Sequence, residues 1–199
     1  KKSKTTKTMS SISTQKPKVG KIALNYGLIF GAILIVEFVI GYVLGAQMQK
    51  EKSYAIVISL INYIALPFTF AFLAGKKFKE LNGGYITFGE AIKLGVAVAV
   101  IAALVSGIFS AIFNIIIPEY MEDTLKRAEE EMAKNPQMKA ADIKMAMKFT
   151  RMFMEPYIVI PIAIVMNAFV GLINSLVVGA IIKKENPFGD MPQENINNI

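Results

Sequence analysis

Four polar residues inside long apolar stretches are the side chains of this sequence best placed to do chemistry: Glu37, Asn62, Ser106 and Asn167. A rise of about 1.5 Å per residue, counted from the middle of each stretch, places them at nearly the same depth in a membrane. Glu37 is the single acid within these stretches. A carboxyl group inside a membrane normally faces other helices or a cavity, so this layer is a candidate functional site.

Two interpretations of this polar layer stay open. In the functional one, Glu37 binds a proton or a cation and the other three side chains supply oxygen ligands. In the structural one, the layer is a hydrogen-bonded clasp that fixes which helices meet, and we favour it because such contacts commonly join membrane helices. The functional interpretation includes one more oxygen ligand, the Tyr63 carbonyl. Pro67 is expected to kink its helix and to leave this carbonyl without its usual backbone donor.

Most other catalytic chemistry is excluded by what the sequence lacks. It has no cysteine and no histidine, which removes disulfides, thiolate nucleophiles, imidazole bases and the usual zinc sites. It also has no glycine-rich phosphate loop and no dinucleotide-binding fingerprint. We therefore predict that the protein is not an enzyme and has no metal or cofactor.

The bulk composition indicates a membrane protein. Hydrophobic residues make up 54% of the 199 residues, and the mean hydropathy is +0.47. Both values exceed those of an ordinary soluble domain. The net charge of +7 could suggest a nucleic-acid partner. However, the lysines lie at the ends of apolar runs and not among aromatic residues on one face, so no nucleic acid is predicted.

Four apolar runs are long enough to cross a bilayer, so the predicted fold is an all-α membrane protein with four transmembrane helices. Within a membrane domain of residues 21–185, the spans are predicted at about 22–46, 54–74, 88–117 and 157–182. Thr87 and Glu90 have the capping-box pattern that marks the start of the third span. The polar stretch 118–155 is predicted to be a helical hairpin, broken at Asn135-Pro136.

The tails and the lysines predict the orientation. Residues 1–20 form a basic tail that we expect to be disordered, and residues 186–199 form a polar C-terminal tail. Lysines concentrate in the first tail, at Lys76 to Lys79 and at Lys183-Lys184, which all fall on one side of the membrane. The positive-inside rule therefore predicts that both termini are cytoplasmic and that the hairpin is extracytoplasmic.

Small residues at four-residue spacing predict close helix contacts in three of the spans. They are Gly27, Gly31, Gly41 and Gly45 in the first, Ala99, Ala103 and Gly107 in the third, and Gly171, Ser175 and Gly179 in the fourth. In a four-span bundle we favour packing within the chain over dimerisation. The third span has the longest row of small residues, so we expect the other spans to pack against it.

Methionines are frequent in the hairpin region. They are Met121, Met132, Met138, Met145, Met147, Met152 and Met154. Met147 and Met154 are seven residues apart and share a helix face, so they could form a docking surface for a partner protein. Packing within the hairpin is the favoured alternative, and binding of Cu(I) by thioethers is the third.

Several short motifs carry a resemblance to a known family. They are LNYGLIFGA in the first span, GGYITFGEAIKLG at the start of the third, IPEYMED after it, and IIKKE at the end of the fourth. The chain resembles, over Val19 to Glu185, a family of four-span inner-membrane proteins of Bacteroidetes, the domain of unknown function DUF4199. The resemblance implies a bacterial inner-membrane location and the four-span topology. It implies no activity, cofactor or catalytic residues.

These features together predict a non-enzymatic polytopic inner-membrane protein. The favoured function is an accessory or interaction subunit of a membrane or envelope complex, with the lipid bilayer and other membrane proteins, or further copies of the chain, as partners. The alternative is a small oligomeric transporter or a proton or cation conduit that uses Glu37. Four spans alone make a narrow bundle, so this alternative requires oligomers.

Overall fold

The computed structural model describes residues 16–50 and 52–187, and this part of the chain is helical with no β-strand. The predicted disordered tail falls largely outside the described residues, as does most of the C-terminal tail. The described residues form seven α-helices in succession: α1 (Val19–Lys50), α2 (Lys52–Leu60), α3 (Leu66–Leu81), α4 (Phe88–Ile116), α5 (Pro118–Ala133), α6 (Ala140–Met154) and α7 (Pro156–Ile182). A single turn of π-helix, Ile61–Ala65, joins α2 to α3.

Four segments of the described chain are long and apolar enough to cross a membrane, which confirms the predicted four-span helical fold. They are Val19–Gly45, Ser53–Leu81, Phe88–Ile116 and Pro156–Ile182. The second span is longer than predicted, because α3 continues through the lysine-rich residues as far as Leu81. The protein is therefore a polytopic membrane protein whose lipid-facing surface contacts the bilayer.

The third span, α4, is the centre of the bundle, as predicted. It begins with the predicted capping box: the Thr87 side chain accepts a hydrogen bond from the Glu90 backbone N–H, and the Glu90 carboxylate accepts one from the Thr87 N–H at 2.8 Å. Its sides pack against α1, α3 and α7. The core includes Phe30 and Phe70, whose rings stack with centroids 4.9 Å apart, and the fully buried Leu94.

A ladder of small residues joins α4 to α7, which run antiparallel. Three pairs form the small-residue ladder: Ala91 with Gly179, Gly95 with Ser175, and Ala99 with Gly171. A Cβ atom added to Gly171 would lie 2.6 Å from the Ala99 Cβ, so no larger side chain fits there. Ser175 is completely buried, and its hydroxyl donates to the Gly171 carbonyl of its own helix at 2.5 Å.

The glycines of α1 differ in what they contact. A Cβ on Gly27 would lie 2.6 Å from the Ile101 Cβ, and one on Gly31 would lie 2.7 Å from the Val105 Cβ, so both glycines let α1 approach α4 closely. Gly41 is also buried. Gly45 was predicted to permit close packing, but a Cβ there would meet nothing within 4 Å. Its φ of 77° and ψ of 177° instead place it at a break in α1.

One end of the bundle is closed by hydrogen bonds that join the end of α3 and the α3–α4 loop to the end of α7. The Lys79 ammonium group donates to the Ile182 carbonyl at 2.9 Å, which caps the C-terminus of α7. Ile86 and Lys184 exchange two backbone hydrogen bonds of 3.0 and 2.9 Å. We call this the loop end, and the opposite end, which carries α5 and α6, the hairpin end.

The predicted pair of helices at the hairpin end is present, with its break near Asn135-Pro136. Its helices α5 and α6 contact each other, and Leu125 of α5 is buried at the cleft between them. Acidic and basic side chains from the two helices line one cleft, including Glu122 and Glu129 of α5 and Lys148 of α6. Side chains of opposite charge thus line the same cleft.

Candidate functional site in the membrane cavity

A cavity of about 400 Å³ lies between the spans toward the hairpin end. Side chains from α1, the π-helical turn, α4 and α7 line it, and Met154 and Pro156 at the junction of α6 and α7 lie at its edge. All residues of the predicted polar layer are among the lining residues: Glu37, Asn62, Ser106 and Asn167. Ser110 and Asn114, one and two turns further along α4, extend the polar wall.

Glu37 and Asn62 make the direct contact between spans in this layer. The Asn62 Nδ2 donates to the Glu37 Oε1 at 2.6 Å and so joins α1 to the second span. The other polar atom of the amide, the Asn62 Oδ1, is buried and has no hydrogen-bond partner in the described part of the chain. A buried acceptor without a donor is uncommon in folded proteins and requires an explanation.

Ser106 and Asn167 line the same cavity but hydrogen-bond within their own helices. The Ser106 hydroxyl donates to the Ala102 carbonyl at 2.9 Å, and the Asn167 Nδ2 donates to the Ala163 carbonyl at 2.8 Å. The polar layer is therefore not one closed clasp of four side chains. It consists of one hydrogen bond between helices, from Asn62 to Glu37, and two side chains that donate to backbone carbonyls of their own helices.

The cavity begins where the small-residue ladder ends. Toward the loop end, the small residues of α4 are covered directly by α7. Further along the same row, Ala103, Gly107 and Ala111 line the cavity. At Gly107 the nearest atom to an added Cβ is the Ile160 Cγ1 at 3.5 Å, which is ordinary contact distance. Small side chains that no partner backbone approaches closely leave open volume.

The Tyr63 carbonyl has a side-chain donor from another span, which confirms the prediction that Pro67 leaves this carbonyl available. The Asn174 Nδ2 donates to it at 3.0 Å and also donates to the Val170 carbonyl at 2.9 Å. Asn174 is buried. Asn174 is not among the site residues predicted from the sequence, although Asn167 and Asn174 are seven residues apart and so share a face of α7.

This contact predicts a coupling between two positions. We expect Asn174→Leu to lower the free energy of unfolding by about 1 kcal/mol, because it removes the side-chain donor of the Tyr63 carbonyl. In a Pro67→Ala background, the restored backbone N–H of residue 67 can bind the Tyr63 carbonyl, and the same substitution should cost less than half as much. Unfolding by SDS in mixed micelles measures both values. An equal cost in the two backgrounds would contradict the assignment.

An aromatic cluster adjoins the cavity between α1, α4 and α5. It consists of Phe38, Tyr42, Phe109, Phe113 and Tyr120. Phe38 is near its centre, with its ring centroid 5.0 Å from that of Phe113 and 5.5 Å from that of Tyr120 in edge-to-face geometry. Phe38 and Phe109 also line the cavity. The cluster anchors the start of α5 on the bundle.

The methionines singled out by spacing are not on the exposed face of α6. Met147 lines the cleft between α5 and α6, and Met154 lines the cavity. The exposed apolar side chains, which we call the α6 stripe, are Met145, Phe149, Met152 and Phe153, with exposed fractions of 65%, 52%, 42% and 50%. The reason is helical geometry: Met145 and Met147 point about 200° apart, and α5 covers the Met147 side.

The site's chemistry is that of a lone carboxyl group among neutral polar side chains. In the described residues no group of three or more Asp, Glu, His and Cys side chains could hold a metal ion. Glu37 can therefore form hydrogen bonds or pair with a singly charged cation, supported by the amides and hydroxyls around it.

Comparison with known proteins identifies the family. The family described as protein of unknown function (DUF4199) matches residues 25–184, which include all four spans and the hairpin. No curated protein and no solved structure matches the chain. The match covers far more than half of the chain, and the protein therefore belongs to the DUF4199 family.

Proposed function

We propose that the protein is a non-enzymatic accessory or interaction subunit of a membrane complex, and that a partner protein binds the α6 stripe. The observation that carries this proposal is the exposure of four large apolar side chains on a helix outside the spans. Exposed apolar patches on polar surfaces are typical of interaction sites. Methionine and phenylalanine at positions i, i+4, i+7 and i+8 form the surface onto which another helix packs.

Charge beside the stripe specifies the chemistry of the partner. Lys144, Lys148 and Arg151 line the cleft toward α5 but are also exposed, and they follow one edge of the stripe, at angles of about 60° to 120° from Met145 on the helix. A partner helix with an apolar face and acidic residues along one edge complements this surface. We infer such an acidic amphipathic helix, from another membrane or envelope protein, as the occupant.

The location that fits this function is a bacterial inner membrane, with both termini in the cytoplasm and the α5–α6 hairpin outside. Lysines support this orientation, since Lys76, Lys77, Lys79 and Lys183-Lys184 all lie at the loop end. In this arrangement the α6 stripe faces partners in the envelope.

A photo-crosslinking residue at the centre of the stripe tests the proposal. We expect p-benzoylphenylalanine in place of Phe149 to give an adduct in intact cells. Its peptide should map to an acidic amphipathic helix of one protein. The double reversal Lys144→Glu and Lys148→Glu should lower the yield about ten-fold, because like charges then face each other across the contact. Lys134→Glu at the hairpin tip is the matched control and should leave the yield unchanged.

Two outcomes would overturn the proposal. Adducts formed only with lipid would place the stripe on the membrane surface and not on a protein. An adduct yield that stays the same after the charge reversals would show that the partner is not the acidic helix that we infer. Equal amounts of each variant in the membrane fraction ensure that a lost adduct reflects lost binding and not lost protein.

The cavity favours a second candidate function, a small oligomeric transporter or a proton or cation conduit. Glu37 supports it, because ionisable residues within spans are typical of ion and proton pathways. Ion flux into vesicles separates the two candidates. Ion flux that occurs only in vesicles containing the protein, and that disappears with Glu37→Gln, would support the conduit. Equal ion flux into vesicles with and without the protein would exclude it.

A further inference from the structure

We propose that the cavity binds a small organic cation with one primary ammonium group on an apolar body. This site is separate from the α6 stripe and goes beyond the interaction function, so either can fail without the other. It names a ligand class for the residues around Glu37, whether or not the ligand is carried across the membrane.

The size and lining of the cavity fit such a ligand. Its volume of about 400 Å³ is within the range of small-molecule sites, which is about 300 to 1,000 Å³. Much of the wall is apolar, including Phe30, Leu34, Val159 and Ile160. Polar side chains, including Glu37 and Asn62, form the rest of the wall. A ligand with a polar head and an apolar body can contact both kinds of side chain.

The hydrogen-bonding groups at the polar part of the wall call for donors. An ionised Glu37 carboxylate can only accept hydrogen bonds, and it receives one from the Asn62 Nδ2. The Asn62 Oδ1 beside it is a buried acceptor with no donor in the described structure. A primary ammonium group carries three donors and no acceptor. It can therefore bond to the carboxylate and to this amide oxygen together.

The neighbouring polar residues offer the same kind of surface. Ser106 and Asn167 each direct a donor to a carbonyl of their own helix, which leaves their side-chain oxygens able to accept. The side-chain oxygens of these polar residues thus offer acceptors to a ligand. An anionic ligand would meet these acceptors and would be repelled by an ionised Glu37 carboxylate.

Among the described residues that line the cavity, Glu37 has no cationic neighbour, and this indicates the same ligand class. None of the described residues that line the cavity is Lys or Arg. Charged groups within a membrane bundle are typically paired, so a cation from outside the protein completes the site. The rings of Phe38 and Phe109, which also line the cavity, can stabilise an ammonium group through their π-faces.

Binding of phenethylammonium to the purified full chain in detergent tests the proposal. We expect saturable binding by isothermal titration calorimetry, with an affinity at least about ten-fold higher than that of 2-phenylethanol, which lacks the charge. We expect no measurable binding of 3-phenylpropanoate, which has a negative charge at the same position. The stability of the protein to heat should rise with amine concentration, as for any ligand that binds only the folded state.

Two pairs of variants locate the site. Glu37→Gln should weaken amine binding by about ten-fold or more, because it removes one partner of a desolvated charge pair. Glu119→Gln, an exposed carboxylate on α5 away from the cavity, should leave it unchanged. Ala163→Leu fills the cavity and should also weaken binding, whereas Ala180→Leu on the exposed face of α7 should not.

Three results would overturn the proposal. Equal binding by the wild-type chain and a folded Glu37→Gln variant would show partition into detergent and not a site. Equal affinity for the amine and the alcohol would remove the role of the charge. Absence of saturable amine binding would show that the cavity is not a site for this ligand. If Glu37→Gln does not fold, Ala163→Leu provides the test, and size-exclusion chromatography checks that this variant is folded. The substitution keeps the hydrogen bond from Asn167, because that bond is to the backbone carbonyl of residue 163.

Discussion

Gly95→Ala is expected to lower the free energy of unfolding by about 2 kcal/mol, which is typical of overpacking in a close-packed interior. The added Cβ would collide with the Ser175 hydroxyl and lie 3.0 Å from both the Ser175 Cβ and the Ala71 Cβ. Ser175 is fully buried and its hydroxyl donates to the Gly171 carbonyl, so turning the side chain away would break this bond. SDS titration in mixed micelles measures the loss.

A control and a rescue accompany this prediction. A Cβ on Gly89, near the start of the same helix, would meet nothing within 4 Å. Gly89→Ala should therefore be neutral or slightly stabilising, because alanine favours a helix over glycine by about 1 kcal/mol. The double variant Gly95→Ala with Ser175→Gly should regain at least half of the loss, since it removes two of the colliding atoms. A Gly95→Ala protein as stable as the wild type would show that α4 and α7 do not meet at the ladder.

Features of the fold that depend on local sequence could be predicted. The four spans follow from hydropathy summed over about twenty residues, which does not depend on how the helices are arranged. The capping box of Thr87 and Glu90 is set by residues three positions apart. The contacts of Gly27 and Gly31 with α4 follow from the rule that small residues permit close approach.

Features that depend on how one helix is rotated against another could not be predicted from the sequence. Asn174 bonds to the Tyr63 carbonyl across 111 positions of sequence, and no periodicity says which amide on α7 faces it. Gly45 has the same spacing as the packing glycines but a left-handed backbone at a break in α1. The face of α6 that stays exposed depends on where α5 lies, so the spacing of Met147 and Met154 did not reveal it.

The cavity illustrates both cases. Depth along each span placed Glu37, Asn62, Ser106 and Asn167 at one level, and all four line the same space. Depth alone did not predict that only Glu37 and Asn62 would bond between helices, nor that the Asn62 Oδ1 would lack a partner in the described chain. Those facts depend on side-chain direction, and they support a ligand site beside a structural contact.

The second large effect concerns the threading of the chain through the membrane. The sequence has no cysteine, so single cysteines are unique labels. We place them at Glu80 and Glu185 near the loop end and at Lys134 at the hairpin tip, all exposed positions. Spans three and four separate Lys134 from the other two, and a charged maleimide does not cross the bilayer. Labelling should therefore be all or none in intact cells.

Labelling of these cysteines is the most direct test of the proposed architecture. We predict that the maleimide labels Lys134→Cys in intact cells and labels Glu80→Cys and Glu185→Cys only after the membrane is opened. The reverse pattern would keep the spans and invert the proposed orientation. Labelling of all three positions from the same side would contradict the four-span bundle itself, and with it the cavity around Glu37.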